Sequence, residues 1–182
     1  MANERKSARA KRSMASGVKN RRVLGWREWA SLPGLGIAAI KAKLDTGAKT
    51  SALHAWDLSL RMVEGRQWIR FRVHPMQRDK VTSVVCEAPV SDQRWVMNSS
   101  GTRERRYIIT TNLQIGSSRW PIELSLANRD AMGFPMIIGR EAMRDRLIVD
   151  PHASYRAGRK PRQAVNGASK DQGGPKAGRA DT

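Results

Sequence analysis

The sequence predicts an all-β fold: a small closed barrel of antiparallel strands with one short helix. Three observations predict it. Apolar residues alternate with a period of two, as in Trp68-Ile69-Arg70-Phe71-Arg72-Val73, where Ile69, Phe71 and Val73 share one face. Glycine, proline and small polar residues punctuate the apolar runs. Strand-like runs outnumber helical ones throughout, and the helical candidate, residues 140–146, is long enough for about two turns.

Residues 1–22 are rich in Lys, Arg, Ser and Ala without apolar periodicity, and are expected to form a disordered basic arm. The ordered domain is expected over residues 23–155. Trp26 and Trp29 flank Arg27-Glu28 and read as core or hairpin packing rather than a platform for stacked bases. Leu32-Pro33-Gly34-Leu35-Gly36 is a turn, because proline fixes φ and glycine permits positive φ. Residues 37–44 form a strand that stops at Asp45. Glu64-Gly65 marks a hairpin turn into the strand around Phe71. Residues 81–90 form the next strand, with Asp92-Gln93 as a connection. Trp95-Val96-Met97 and residues 107–111 then flank a polar tip, residues 98–106. Such a tip suits a flap over a peptide groove, and equally any exposed hairpin. Leu113 and Ile115, a turn at Gly116-Ser117-Ser118, then Trp120, Ile122, Leu124 and Leu126 give a hairpin with one apolar face, ended by Asn128-Arg129-Asp130. Met136-Ile137-Ile138 is a short strand and Leu147-Ile148-Val149 a closing one. Residues 156–182 lack periodicity and are expected to be a disordered basic tail.

Charge narrows the partners. The formal net charge is +18, of which residues 1–22 carry +7 and residues 156–182 carry +5. Such a chain is attracted to polyanions: RNA, ribosomes or acidic peptides. Basic ends that only maintain solubility are the plainer alternative. No apolar run reaches the about 18 residues of a membrane span, so no membrane partner is expected. The basic N-terminus lacks an apolar signal core, and the single cysteine, Cys86, forms no internal disulfide, which fits a cytoplasmic protein.

The chemistry converges on Lys43-Leu44-Asp45-Thr46-Gly47-Ala48-Lys49-Thr50-Ser51. A strand fixes the position of a carboxylate, and Gly47 lets a backbone N–H approach it closely. Thr46 offers a hydroxyl that can lock the loop against a neighbour, and Ala48 leaves room for a second backbone or a substrate. An ordinary Asp-Thr-Gly turn has the same composition. A second stretch, Phe134-Pro135-Met136-Ile137-Ile138-Gly139-Arg140-Glu141-Ala142-Met143, supplies the other half of a pattern.

In both halves, in order and in separation, the sequence resembles the retropepsin-like aspartic peptidases. It is more similar still to a bacterial RimB-like subfamily, which carries an ATP-dependent zinc protease label and is associated with RimK, a ribosomal-protein glutamate ligase. Gly25-Trp26-Arg27-Glu28-Trp29, Trp120-Pro121-Ile122-Glu123-Leu124, Asn128-Arg129-Asp130 and Val149-Asp150-Pro151 extend the similarity over about residues 23–155. The resemblance implies a retropepsin-type fold and peptide-bond hydrolysis with Asp45 catalytic. Thr46, Gly47 and Ala48 would form the active-site loop. Ile137, Ile138 and Gly139 would pack beside it, and Arg140 would open the helix. It also suggests glutamate tails on a ribosomal protein as substrate.

Hydrolysis by carboxylates needs two of them, about 3 Å apart and sharing a proton. The chain has one Asp-Thr-Gly, and Asp57, Asp92, Asp130, Asp145 and Asp150 lack its setting. The second carboxylate is therefore expected from a second copy, in a two-fold homodimer. Lys49 puts a cation near the loop, where it would lower the dyad's proton affinity or bind a substrate carboxylate. Arg103 and Arg105, in the polar tip, favour an anionic ligand. No cofactor is expected: His-Glu-x-x-His, Cys-x-x-Cys and the phosphate-binding Gly-x-x-x-x-Gly-Lys-Ser/Thr are all missing, and His54, His74 and His152 are scattered. The competing readings are a non-catalytic basic module that binds RNA or the ribosome on the same fold, and a zinc hydrolase.

Overall fold

In the computed structural model, residues 21–76, 81–97, 101–128 and 133–160 are described. The expectations for residues 1–20, 98–100, 129–130 and 161–182 lie outside the described residues. Strand follows strand from the start: β1 (Arg22–Gly25), β2 (Arg27–Leu32), a 3-10 turn at Pro33–Leu35 and β3 (Ile37–Asp45). Then come β4 (Ser51–His54), β5 (Trp56–Val63), β6 (Arg66–Val73), β7 (Val84–Met97), β8 (Arg103–Ile115), β9 (Ser118–Ala127) and β10 (Met136–Gly139). A single helical turn, α1 (Arg140–Met143), and β11 (Leu147–Asp150) complete the described chain.

Nine strands form one sheet in the order β2-β3-β10-β4-β9-β8-β7-β6-β5, and a further β2–β8 pairing, Ser31 with Gln114, closes six of them into a ring. The all-β class with one short helix is therefore the fold adopted. The ring is mixed rather than wholly antiparallel, since β10 runs parallel to β3 and β4 parallel to β9. β10 arrives late in the chain and inserts between β3 and β4, which a run of hairpins could not achieve. β1 and β11 pair in parallel as a separate two-stranded sheet.

The period-two pattern decides what is inside. Ile69, Phe71 and Val73 are completely buried, as are Ile109, Leu113 and Leu124 from the neighbouring strands. Each such side chain contributes about 1.5–3 kcal/mol of burial. Along β3, Ala42 and Leu44 face this core, while Lys41, Lys43 and Asp45 alternate onto the half-buried side. Cys86 is a core residue; burial pushes its thiol up to about 12, which makes it an inert apolar filler rather than a nucleophile.

Three expectations are corrected. Asp92-Gln93 is not a connection: β7 runs unbroken to Met97 and absorbs the irregularity as a bulge between Val90 and Asp92. The helix is one turn rather than two, because Asp145 takes a positive φ of 61° just beyond it. The ordered chain continues past Tyr155. Glu28, fully buried, accepts hydrogen bonds from the backbone N–H groups of Gly25, Arg156 and Ala157, and so clamps residues 156–157 to the domain. The expected turn at Glu64-Gly65 is present, with φ of 48° and 75° joining β5 to β6.

Candidate active site

Asp45 is the last residue of β3, and its neighbour across the parallel pairing is Gly139, the last residue of β10. Two strand ends thus meet where two loops begin. The loop after Asp45 folds back on its own carboxylate: the N–H groups of Gly47 and Ala48 donate to Oδ1 at 3.0 and 3.3 Å. A β-carbon on Gly47 would lie 3.3 Å from that same oxygen, so glycine permits the close approach. The other oxygen, Oδ2, accepts from Lys43 Nζ at 3.1 Å. Lys43 lies two residues earlier on the same face of β3, as the strand period requires.

These contacts set the charge on Asp45. Partial burial pushes its carboxyl up, but the Lys43 ammonium and the two loop N–H groups together outweigh burial and hold it below the usual carboxylate range. Asp45 is an ionised, oriented carboxylate, with its side chain 26% exposed.

The second loop supports the first. Arg140 and Glu141 donate their backbone N–H groups to the carbonyls of Ala48 and Lys49, and Arg140 Nη1 donates to the Gly47 carbonyl at 3.1 Å. Gly139 N donates to Ser51 Oγ, and Ser125 Oγ donates to the Ser51 carbonyl. A β-carbon on Gly139 would stand 2.5 Å from the Thr50 carbonyl carbon, so only glycine fits where β10 passes the loop.

Asp45 opens into a cleft of about 1110 Å³. The Asp45 loop and α1 form one wall, through Gly47, Ala48, Lys49 and Glu141. The β7–β8 hairpin forms the other, through Arg94, Trp95, Val96, Met97 and Arg106, with Trp26 and Phe134 packed edge to face between them. Trp95 and Met97 are largely exposed. Among the described residues, every carboxylate of the cleft is paired with a cation, Asp45 with Lys43. Glu123 takes both terminal nitrogens of Arg94, and Glu141 pairs with Lys49 at 3.8 Å.

The structure gathers Asp45, Gly47, Ala48, Ile137 and Lys49 on the cleft; Thr46 is exposed at the loop's apex. Ile138 and Gly139 are buried behind it, and Arg140 braces the loop. Arg103 and Arg105 are exposed on β8 and do not line the cleft. The cation beside the carboxylate is Lys43 rather than Lys49. Arg94, Arg106 and Glu123 are cleft residues that the sequence reading missed. Strand period alone would have found Lys43. Arg94 and Arg106 become cleft residues only through cross-strand pairing. The zinc label finds no gathered donors: among the described residues, no three His, Cys, Asp or Glu side chains group closely enough to hold a metal ion. Nor is any described helix long and apolar enough to cross a membrane.

An Asp-Thr-Gly loop at a strand end, braced by an Ile-Ile-Gly strand and a short helix in an all-β ring, defines the retropepsin-like class. A family model described as RimB-like, retropepsin-like aspartic endopeptidase RimB, matches residues 23–160. The chain belongs to that family. It is 51% identical over 131 residues to a "Probable alpha-L-glutamate ligase" of Desulfotalea psychrophila, a match covering 72% of this chain and 28% of that protein. A protein of the same name from Parasynechococcus marenigrum is 50% identical over 136 residues, with 75% and 29% covered. The chain therefore spans under a third of the length of these relatives. Among solved structures, a Legionella pneumophila protein of unknown function superposes with a TM-score of 0.62 at 26% identity, over 74% of this chain and 97% of that one.

Proposed function

We propose that this protein is an aspartic endopeptidase in which Asp45 and the Asp45 of a second copy form the catalytic dyad, and that its substrates are acidic peptides such as glutamate tails on a ribosomal protein. One observation carries the reading. Asp45 is held ionised and oriented on a peptide-sized cleft by its own loop and Lys43, with no further partner among the described residues. An ionised carboxylate there acts as general base on a water, which attacks the scissile carbonyl. The second carboxylate, protonated, polarises that carbonyl and then gives its proton to the leaving amine. Among the described residues, the other cleft carboxylates, Glu123 and Glu141, lie outside any loop like that of Asp45, and the second Asp45 is taken from a second copy. The exposed apex at Thr46 and Gly47 leaves this end of the loop open to a second copy. Repulsion between two facing aspartates raises the proton affinity of one of them against the pull of Lys43, so the pair shares a proton.

The acidic substrate is supported by the excess of basic groups on the cleft, of which Arg106 keeps a donor without a partner among the described residues, and by the ligase name of relatives that share this domain. The test incubates the full chain, with and without chelator, with glutamate-tailed and mixed peptides beside Asp45→Asn. Asp45→Asn is expected to lower kcat/KM by roughly a thousandfold or more. Its melting temperature should stay near that of the parent. Cleavage surviving Asp45→Asn sinks the proposal, and cleavage abolished by chelator replaces it with a metal mechanism.

A further inference from the structure

Arg106 is the most buried charged side chain of the cleft, only 4% exposed. A guanidinium presents five N–H donors in a planar fork. Here Nε donates to Glu104 Oε1, while Nη2 is buried and has no hydrogen-bond partner among the described residues. An ion held away from water with a donor unused is a costly arrangement, and a native fold that keeps one has a reason to.

The register of the hairpin supplies the reason. Arg94 lies opposite Arg106, and Val96 opposite Glu104, so these four side chains share one face. Arg94 is saturated: it binds Glu123 through both terminal nitrogens and Asp92 through Nε. Among the described residues Arg106 has Glu104 alone, and the Glu104 side chain is 39% exposed. Glu104 can turn out to water once another carboxylate takes its place on Arg106, whereas Arg106 cannot follow it.

The geometry points to Arg106 as a specificity residue that pairs with a carboxylate of the substrate, with Glu104 holding that place while the cleft is empty. The assignment rests on the cleft being the substrate site of the proposed peptidase. A planar fork matches a planar carboxylate through two parallel hydrogen bonds. The carboxylate comes either from an acidic side chain or from a free chain end, and the experiment separates the two sources.

The full chain carrying Asp45→Asn, which binds without turnover, is titrated with peptides differing only in Glu against Gln, each with a free and an amidated C-terminus. Adding Arg106→Gln is expected to weaken binding of the preferred carboxylate peptide roughly 10–100-fold while barely moving its neutral counterpart. Adding Glu104→Gln is expected to tighten that carboxylate peptide several-fold, because its competitor has lost its charge. A preference that follows Glu over Gln assigns a side chain, and one that follows the free end over the amide assigns the terminus; both support the proposal. Equal binding of all four peptides overturns it, as does a preference that persists in Arg106→Gln. If Arg106→Gln does not fold, Glu104→Gln, which retains the buried cation, decides alone: tighter carboxylate binding supports the proposal and unchanged binding overturns it. Cleavage by the Asp45 protein separates the two levels. No turnover together with Arg106-dependent binding sinks the peptidase reading and keeps the carboxylate site. Turnover with the same Glu-to-Gln ratio of kcat/KM in Arg106→Gln does the reverse.

Discussion

Lys43 and Asp45 are two residues apart on one strand face, and their contact fixes how the candidate site responds to pH. Folded Asp45 titrates below the usual carboxylate range, so its ionisation favours folding above the unfolded pKa. That contribution is lost as pH falls through the folded value. Burial alone would raise the carboxyl; Lys43 is the largest influence opposing it. Lys43→Met should therefore move the acid limb of the kcat/KM profile to higher pH. Lys49→Met should leave the limb where it is, because Lys49 faces Glu141. A pH–rate series on both variants checks the pair; a limb that moves with Lys49 instead would contradict the assignment. The sequence put a cation near the loop at Lys49, to lower the dyad's proton affinity or to bind a substrate carboxylate; the lysine in contact with Asp45 is Lys43. Lys49 is adjacent in the loop, yet its ammonium pairs with Glu141, while strand period returns Lys43 to the carboxylate. Arg106 left no local sign, because the burial of an arginine depends on what the neighbouring strands bring across it.

At the scale of elements, the site is a junction of strand ends. β3 delivers Asp45, β10 delivers Gly139 beside it, and α1 begins where its N–H groups can brace the Asp45 loop. Gly139→Ala would drive a methyl group into the Thr50 carbonyl, where backbone rather than a flexible side chain must yield. The expected loss is about 1–3 kcal/mol of stability. Activity should fall more than stability, since the displaced residues are the carboxylate's own loop; denaturant melts and kcat measured on one preparation compare the two. Most of these elements were legible. Ile69, Phe71 and Val73 announce β6, and Glu64-Gly65 announces its turn. What the sequence hid is continuity: Asp92-Gln93 has the composition of a loop, yet the hairpin carries it as a bulge. The length of α1 was likewise hidden, because it is set by the backbone at Asp145 rather than by propensity.

For the whole molecule, the all-β class could be read from periodicity, but the ring could not. The insertion of β10 between β3 and β4 leaves no local trace in either strand, and only the resemblance of the two motif halves indicated that they meet. Assembly is where the proposed mechanism is most exposed. If the dyad forms between copies, specific activity should fall on dilution below the dimer dissociation constant. Mixing in excess Asp45→Asn should suppress the parent protein, because mixed pairs hold one competent aspartate. Activity per chain that stays constant across the dilution range covered by sedimentation would contradict a shared site.

The hydrogen bond from Arg140 to Gly47 spans 93 residues of chain, and the β3–β10 pairing beside it spans one more. Contacts this remote form late, because the loop between them must close before they give anything back. During synthesis, a nascent chain extended only as far as β8 already carries the Asp45 loop but nothing to brace it. The geometry that holds the Asp45 carboxylate is then complete only once β10 and α1 have been made and have docked.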